Sequence, residues 1–121
     1  MLKMNEQEIY QKIGELLWSI MPNEAIEIYF IGDIYPEHYS GGAEWRLKNG
    51  NIDSFPFGER AYEIEENICG LIKELRSLEL FIEKWTNYKI TLTEEGKVNI
   101  EFAYIPEEDF WPTLYMRRVS D

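Results

Sequence analysis

Between Asn5 and Met21 the apolar positions recur with helical spacing. Ile9, Ile13, Leu16, Leu17 and Ile20 fall on one stripe. Asn5 supplies a cap, Glu8 stands three positions on as in a capping box, and Pro22 stops the helix because it cannot donate the next hydrogen bond. The rhythm then changes to period two. Ala25 to Tyr35 reads as a strand, with Ile26, Ile28 and Phe30 on one face and Glu27, Tyr29 and Ile31 on the other. Apolar residues on both faces near its middle predict a central strand. After a loop, Pro36 to Gly42, the segment Ala43 to Lys48 alternates: Ala43, Trp45 and Leu47 inward, Glu44, Arg46 and Lys48 outward. Asn49-Gly50-Asn51 is a turn signal. A short strand over Ile52 to Phe57 follows, with Pro56 marking an edge or an end.

Helical spacing returns from Glu59 to Lys84. Ile64, Ile68, Leu71, Leu75, Leu78 and Ile82 form the stripe, widened by Ile72 and Phe81. A helix of that extent spans roughly 37 Å. Gly70 in its middle costs about 1 kcal/mol against alanine, and close approach of a neighbouring element is the expected reason. Two alternating segments follow, Asn87 to Thr93 and Val98 to Tyr104, joined through Glu94-Glu95-Gly96-Lys97 as a hairpin with Gly96 in the left-handed position. Pro106 ends the second of them. Glu107 to Val119 has an acidic start and a basic end, as a short last helix would. The predicted fold is α+β: one domain over residues 1–121, order α-β-β-(β)-α-β-β-α, with an antiparallel sheet of four to five strands and helices on one face. The other face is expected to stay open and to carry an adhesive patch near Trp45 and Tyr88.

Charge narrows the possible partners. Lys and Arg total 12 and Asp and Glu 23, a formal charge of −11. Such a field repels nucleic acid and anionic membrane and speeds encounter with basic surfaces. Cys69 is the single cysteine, so no internal disulfide forms and a reducing compartment, the cytoplasm, is expected. Signal-peptide and membrane-spanning segments are not evident.

The equipment for catalysis is sparse. His38 is the single histidine, in a loop, and Cys69 follows stripe residue Ile68 inside a helix. A Ser/His/Asp or Cys/His constellation would need these residues, and His/Cys metal sites lack ligands. Neither a calcium loop nor a phosphate loop is present. The acidic pairs Glu65-Glu66 and Glu94-Glu95 read as solvated surface. The expectation is a binding protein without enzymatic activity, cofactor or metal. The expected contact region combines acid with aromatics between the first and third strands: Asp33, Tyr35, Glu37, Tyr39, Glu44, Trp45 and Asp53.

Several short motifs run in order along nearly the whole chain. They are Ile9-Tyr10, Ile13, Leu17, Met21-Pro22, Ile28-Tyr29-Phe30, Ala43-Glu44-Trp45, Trp85-Thr86, Glu95-Gly96-Lys97, Phe102-Ala103-Tyr104 and Asp109. In this order the chain resembles the YezG-like immunity proteins, antitoxins paired with secreted polymorphic-toxin nucleases of bacteria. One departure is that Arg117-Arg118 are followed by Val119-Ser120-Asp121 without a tryptophan, Trp111 coming earlier. The resemblance implies a cytoplasmic inhibitor, monomeric by preference, of a cognate toxin domain, most often a nuclease and so basic. Two other readings fit parts of the pattern. One is an acidic type III secretion chaperone, dimeric and holding an extended effector segment. The other is a small enzyme or ligand-binding domain built on carboxylates and tyrosines.

Overall fold

The computed structural model describes residues 4–36, 38–56, 58–78 and 85–106. Helix α1 covers Glu6–Ile20. The Asn5 side chain accepts from the Glu8 backbone N–H at 2.9 Å, so the expected cap is in place. Met21, before the proline, has turned to extended backbone, as the clash with a following Pro ring demands. Ile9, Ile13 and Leu17 are fully buried.

Five strands follow: β1 Ala25–Ile34, β2 Tyr39–Leu47, β3 Ile52–Ser54, β4 Asn87–Thr93 and β5 Val98–Ala103, with α2, Tyr62–Arg76, between β3 and β4. They form one antiparallel sheet in the order β3-β2-β1-β4-β5. The chain is an α+β domain of the expected order, and β1 is the central strand. Register sorts each strand into two faces. Ile28, Phe30 and Ile34 of β1 share a face with Trp45 of β2 and with Tyr88, Ile90 and Leu92 of β4. All seven are buried. Both described helices close this face, α2 over β2 and α1 over β4, and they pack on each other.

Three local expectations need correction. The helical stripe read as far as Lys84, but α2 ends at Arg76. Ser77 caps it and its hydroxyl turns back to donate to the Glu74 carbonyl at 2.6 Å. The helix begins at Tyr62 rather than Glu59, and Leu78 lies beyond its end, half-buried on the core. Residues 79–84, with Phe81 and Ile82, lie outside the described residues, as does the last helix expected over Glu107 to Val119.

The second correction concerns Gly41 and Gly42, which were expected in a loop. They lie inside β2, which begins at Tyr39. A side chain at Gly41 would collide with packed rings, and one at Gly42 would have to push aside the end of the Arg60 side chain. A Cβ on Gly41 would sit 2.5 Å from the Phe30 ring and 2.8 Å from the Tyr88 hydroxyl. One on Gly42 would sit 2.8 Å from the Arg60 guanidinium. Glycine is there for space, and its turn-like appearance misleads.

The third concerns Gly70. It is exposed, and an added Cβ would meet nothing within 4 Å. The close approach falls on Gly14 of α1 instead, buried with its Cβ position 2.9 Å from Val98 of β5.

Candidate partner-binding surface

The face of the sheet turned away from α1 and α2 carries Glu27, Tyr29, Ile31 and Asp33 from β1. They are flanked by Arg46, Glu44, Gly42 and Ser40 of β2 and by Thr93, Thr91, Lys89 and Asn87 of β4. Its centre is organised by Tyr29, which is buried although neither α1 nor α2 covers it. The Arg46 guanidinium and the Lys89 ammonium lie over the Tyr29 ring, 5.9 and 4.7 Å from its centroid. The phenol donates to the Glu27 carboxylate and accepts from Arg46 Nε at 3.0 Å. Burial and the adjacent Glu27 carboxylate hold the phenol above its ordinary ionisation range. Charges on this face are therefore partly spent on one another. What remains open is apolar at Ile31, 43 % exposed, and at Ile52 of β3, 46 % exposed.

Beside Ile31 the surface dips into a hollow of about 380 Å³, lined among others by Glu44, Ser54, Phe55 and Arg60. Arg60 wraps from the segment before α2 around the free edge of β2 at Gly42. It holds the buried Glu65 carboxylate with two bonds, Nη2 to Oε2 at 2.6 Å and Nε to Oε1 at 3.2 Å. Its guanidinium also lies over the Tyr62 ring. Glu65 was expected to be solvated surface; it is buried because Arg60 pairs with it. Glu44 is half-buried, and its carboxylate makes no hydrogen bond or ion pair among the described residues.

The seven expected contact residues do not form one patch. Glu44 lies on the open face, and Asp53 is exposed on β3 at the sheet's edge. Glu37 lies outside the described residues. Asp33, Tyr35 and Trp45 were expected to be exposed and are buried. Asp33 accepts from the Ser40 hydroxyl at 2.6 Å and stands 3.6 Å from His38 Nδ1, so it braces the β1–β2 hairpin. The Tyr35 hydroxyl donates to the Ile105 carbonyl at 2.9 Å, with the ring against His38. Trp45 points into the core with its ring edge-on to Phe55. Trp45 and Tyr88, expected to form an adhesive patch, both belong to the helix-covered side. Tyr39 sits over α2, bonded to Glu66 with the Lys73 ammonium 3.4 Å above its ring. Alternation had assigned Trp45 inward correctly; choosing it as a contact overrode that signal. Ile31 was visible in the sequence as the apolar residue on the polar face of β1.

Cys69 is buried, and desolvation pushes its thiol above the ordinary range, the reverse of what activates a nucleophile. Among the described residues no group of His, Cys, Asp and Glu is placed to hold a metal ion, and no helix is long and apolar enough to cross a membrane. Among the described residues, the sheet has one face closed by α1 and α2 and the other without a helix over it.

The sequence pattern of the YezG-like immunity proteins matches residues 6–113, most of the chain, and the protein belongs to that family. None of the curated proteins compared with it matches.

Proposed function

We propose that this protein is an antitoxin that binds the folded domain of a cognate bacterial toxin in the cytoplasm and blocks it, the toxin being a nuclease. Family membership carries the reading. The contact we assign is the uncovered sheet face at Ile31, Glu44 and Ile52 together with the β3 edge, where exposed Asp53, opposite Trp45 in the register, turns to the other side of the strand. Apolar residues there have no cover among the described residues, and neither the Glu44 nor the Asp53 carboxylate is in an ion pair among them. A nuclease needs a basic groove to hold phosphates, and a chain of charge −11 is attracted to such a groove and associates with it fast. Inhibition of this kind asks for tight binding by one folded copy and no catalytic group.

The test is protection. The toxin domain encoded beside this gene is expressed with the wild-type protein, with Glu44→Lys/Asp53→Lys, or alone. Growth is expected with the wild type, failure without it, and reduced protection with the double reversal. A toxin equally lethal with and without the wild-type protein would reject the reading. A chaperone would show itself by binding an extended segment outside the toxin's folded domain.

A further inference from the structure

We infer that the end of the molecule where α1 meets the β4–β5 hairpin is a second docking point, anchored by Trp18 and fitted to a basic protein surface. The inference rests on the antitoxin reading only for the identity of that surface. Trp18 stands one position past Leu17, just off the buried stripe of α1, and is 55 % exposed. It lines a shallow groove of about 190 Å³ with Met21, Pro22, Ala25 and Glu94. The groove has a fixed wall, because the Glu94 backbone N–H donates to the Ile26 carbonyl at 2.9 Å and ties the hairpin tip to β1.

Two observations identify the occupant. The first is charge. Glu94 lies in the groove, and Glu24 and Glu95 are next in sequence to residues lining it. All three are exposed and none is in an ion pair among the described residues. The hairpin tip offers only Lys97 against them. A second copy would set carboxylates against carboxylates, and a nucleic acid or anionic membrane would be repelled. The second observation is the unused indole. Tyr29, Tyr39 and Tyr62 each have a lysine or arginine of this chain over the ring. Tryptophan offers the stronger cation-binding face, yet the Trp18 indole has no ring stack, hydrogen bond or cation among the described residues. An exposed tryptophan that shares its groove with the unpaired Glu94, with Glu24 and Glu95 adjoining in sequence, suits an incoming arginine or lysine, and tryptophan is prominent among residues that dominate interface energy.

The probe is a hexa-arginine peptide, titrated at low salt against four folded proteins matched by circular dichroism. They are the wild type, Trp18→Ala, Glu24→Gln/Glu94→Gln/Glu95→Gln, and a control, Glu59→Gln/Glu63→Gln/Glu101→Gln, which removes the same charge elsewhere. Loss of one cation–aromatic contact at an exposed ring weakens binding about two- to five-fold. Trp18→Ala and the first triple variant are expected to bind at least that much more weakly than the control. Equal affinity in all four, or no binding by the wild type, overturns the inference. Self-association of the wild type that Trp18→Ala abolishes also overturns it, by making the occupant a second copy. The neighbouring toxin domain forms a separate arm, in which Trp18→Ala is expected to dissociate faster. Equal rates there overturn Trp18 as a toxin contact. A toxin that ignores the wild-type protein sinks the antitoxin reading instead, and the peptide arm still decides this one.

Discussion

Replacing Gly41 by alanine tests the packing under β2, because the added methyl group has nowhere to go. Its carbon would lie 2.5 and 2.7 Å from two atoms of the Phe30 ring and 2.8 Å from the Tyr88 hydroxyl. Carbon atoms at ease sit about 3.5–4.0 Å apart, so the overlap is roughly 1 Å. Phe30 is fully buried and has no free direction in which to move. Overpacking of this kind costs about 1–3 kcal/mol. Alanine recovers part of that, about 0.4–1 kcal/mol, by restricting the unfolded chain, since the Gly41 backbone is not in the left-handed region. The net expectation is a loss of about 1–2 kcal/mol, read by urea denaturation, or a fall in Tm of roughly 4 °C per kcal/mol for a chain of this size. Tyr88→Phe removes one of the three close atoms, at the loss of a hydroxyl bond to the Ser40 carbonyl at 3.2 Å, so alone it costs about 0.5–1.5 kcal/mol. The double variant is expected to be less destabilised than the sum of the two by about 0.5–1 kcal/mol, as contacting residues couple. A neutral or stabilising Gly41→Ala would mean that the segment is a loop after all. Strict additivity would mean that the Tyr88 hydroxyl does not lie over Gly41.

Gly70→Ala has the opposite sign: the site is exposed and empty within 4 Å, so alanine is expected to stabilise by about 0.5–1 kcal/mol in the same denaturation series. Leu75→Ala, at a fully buried position of α2, is expected to cost about 2–5 kcal/mol, and a loss under 0.5 kcal/mol would contradict the packing of that helix. His38→Ala combined with Cys69→Ser is expected to leave toxin protection intact in a folded protein, and lost protection with an unchanged melting curve would argue for chemistry at one of these side chains.

Where local physics decides the structure, the sequence was readable. Asn5, the α1 stripe and Pro22 defined the first helix, and Gly96, at φ 87°, turns the β4–β5 hairpin as expected. Alternation placed Trp45 inward and Glu44 outward. What eluded it depends on neighbours distant in sequence. Gly41 and Gly42 look like a turn until Tyr88 and Arg60 are seen to occupy the space above them. The apolar stripe of the second helix continues past Ser77, where the helix itself stops, because a chain leaving a helix can still bury its next leucine. Asp33 and Tyr35 looked like surface acid and aromatic. Their partners, Ser40, His38 and Ile105, arrive only when the β1–β2 hairpin forms and the β4–β5 hairpin docks beside β1. Trp18 was the reverse case, a large aromatic off the buried stripe whose exposure one helix pattern already implied.

If the open sheet face and its β3 edge, on a chain of charge −11, capture a basic toxin domain, the association rate reports it. The rate is measured by stopped flow with the toxin domain encoded beside this gene, over a range of salt, for the wild type and for Glu44→Lys/Asp53→Lys. Exposed charges are screened beyond about 8 Å at physiological ionic strength. Association is therefore expected to slow as salt rises and to be slower in the double reversal at every salt, with dissociation changing less. An association rate flat across salt, with the double reversal binding as the wild type does, would contradict the account.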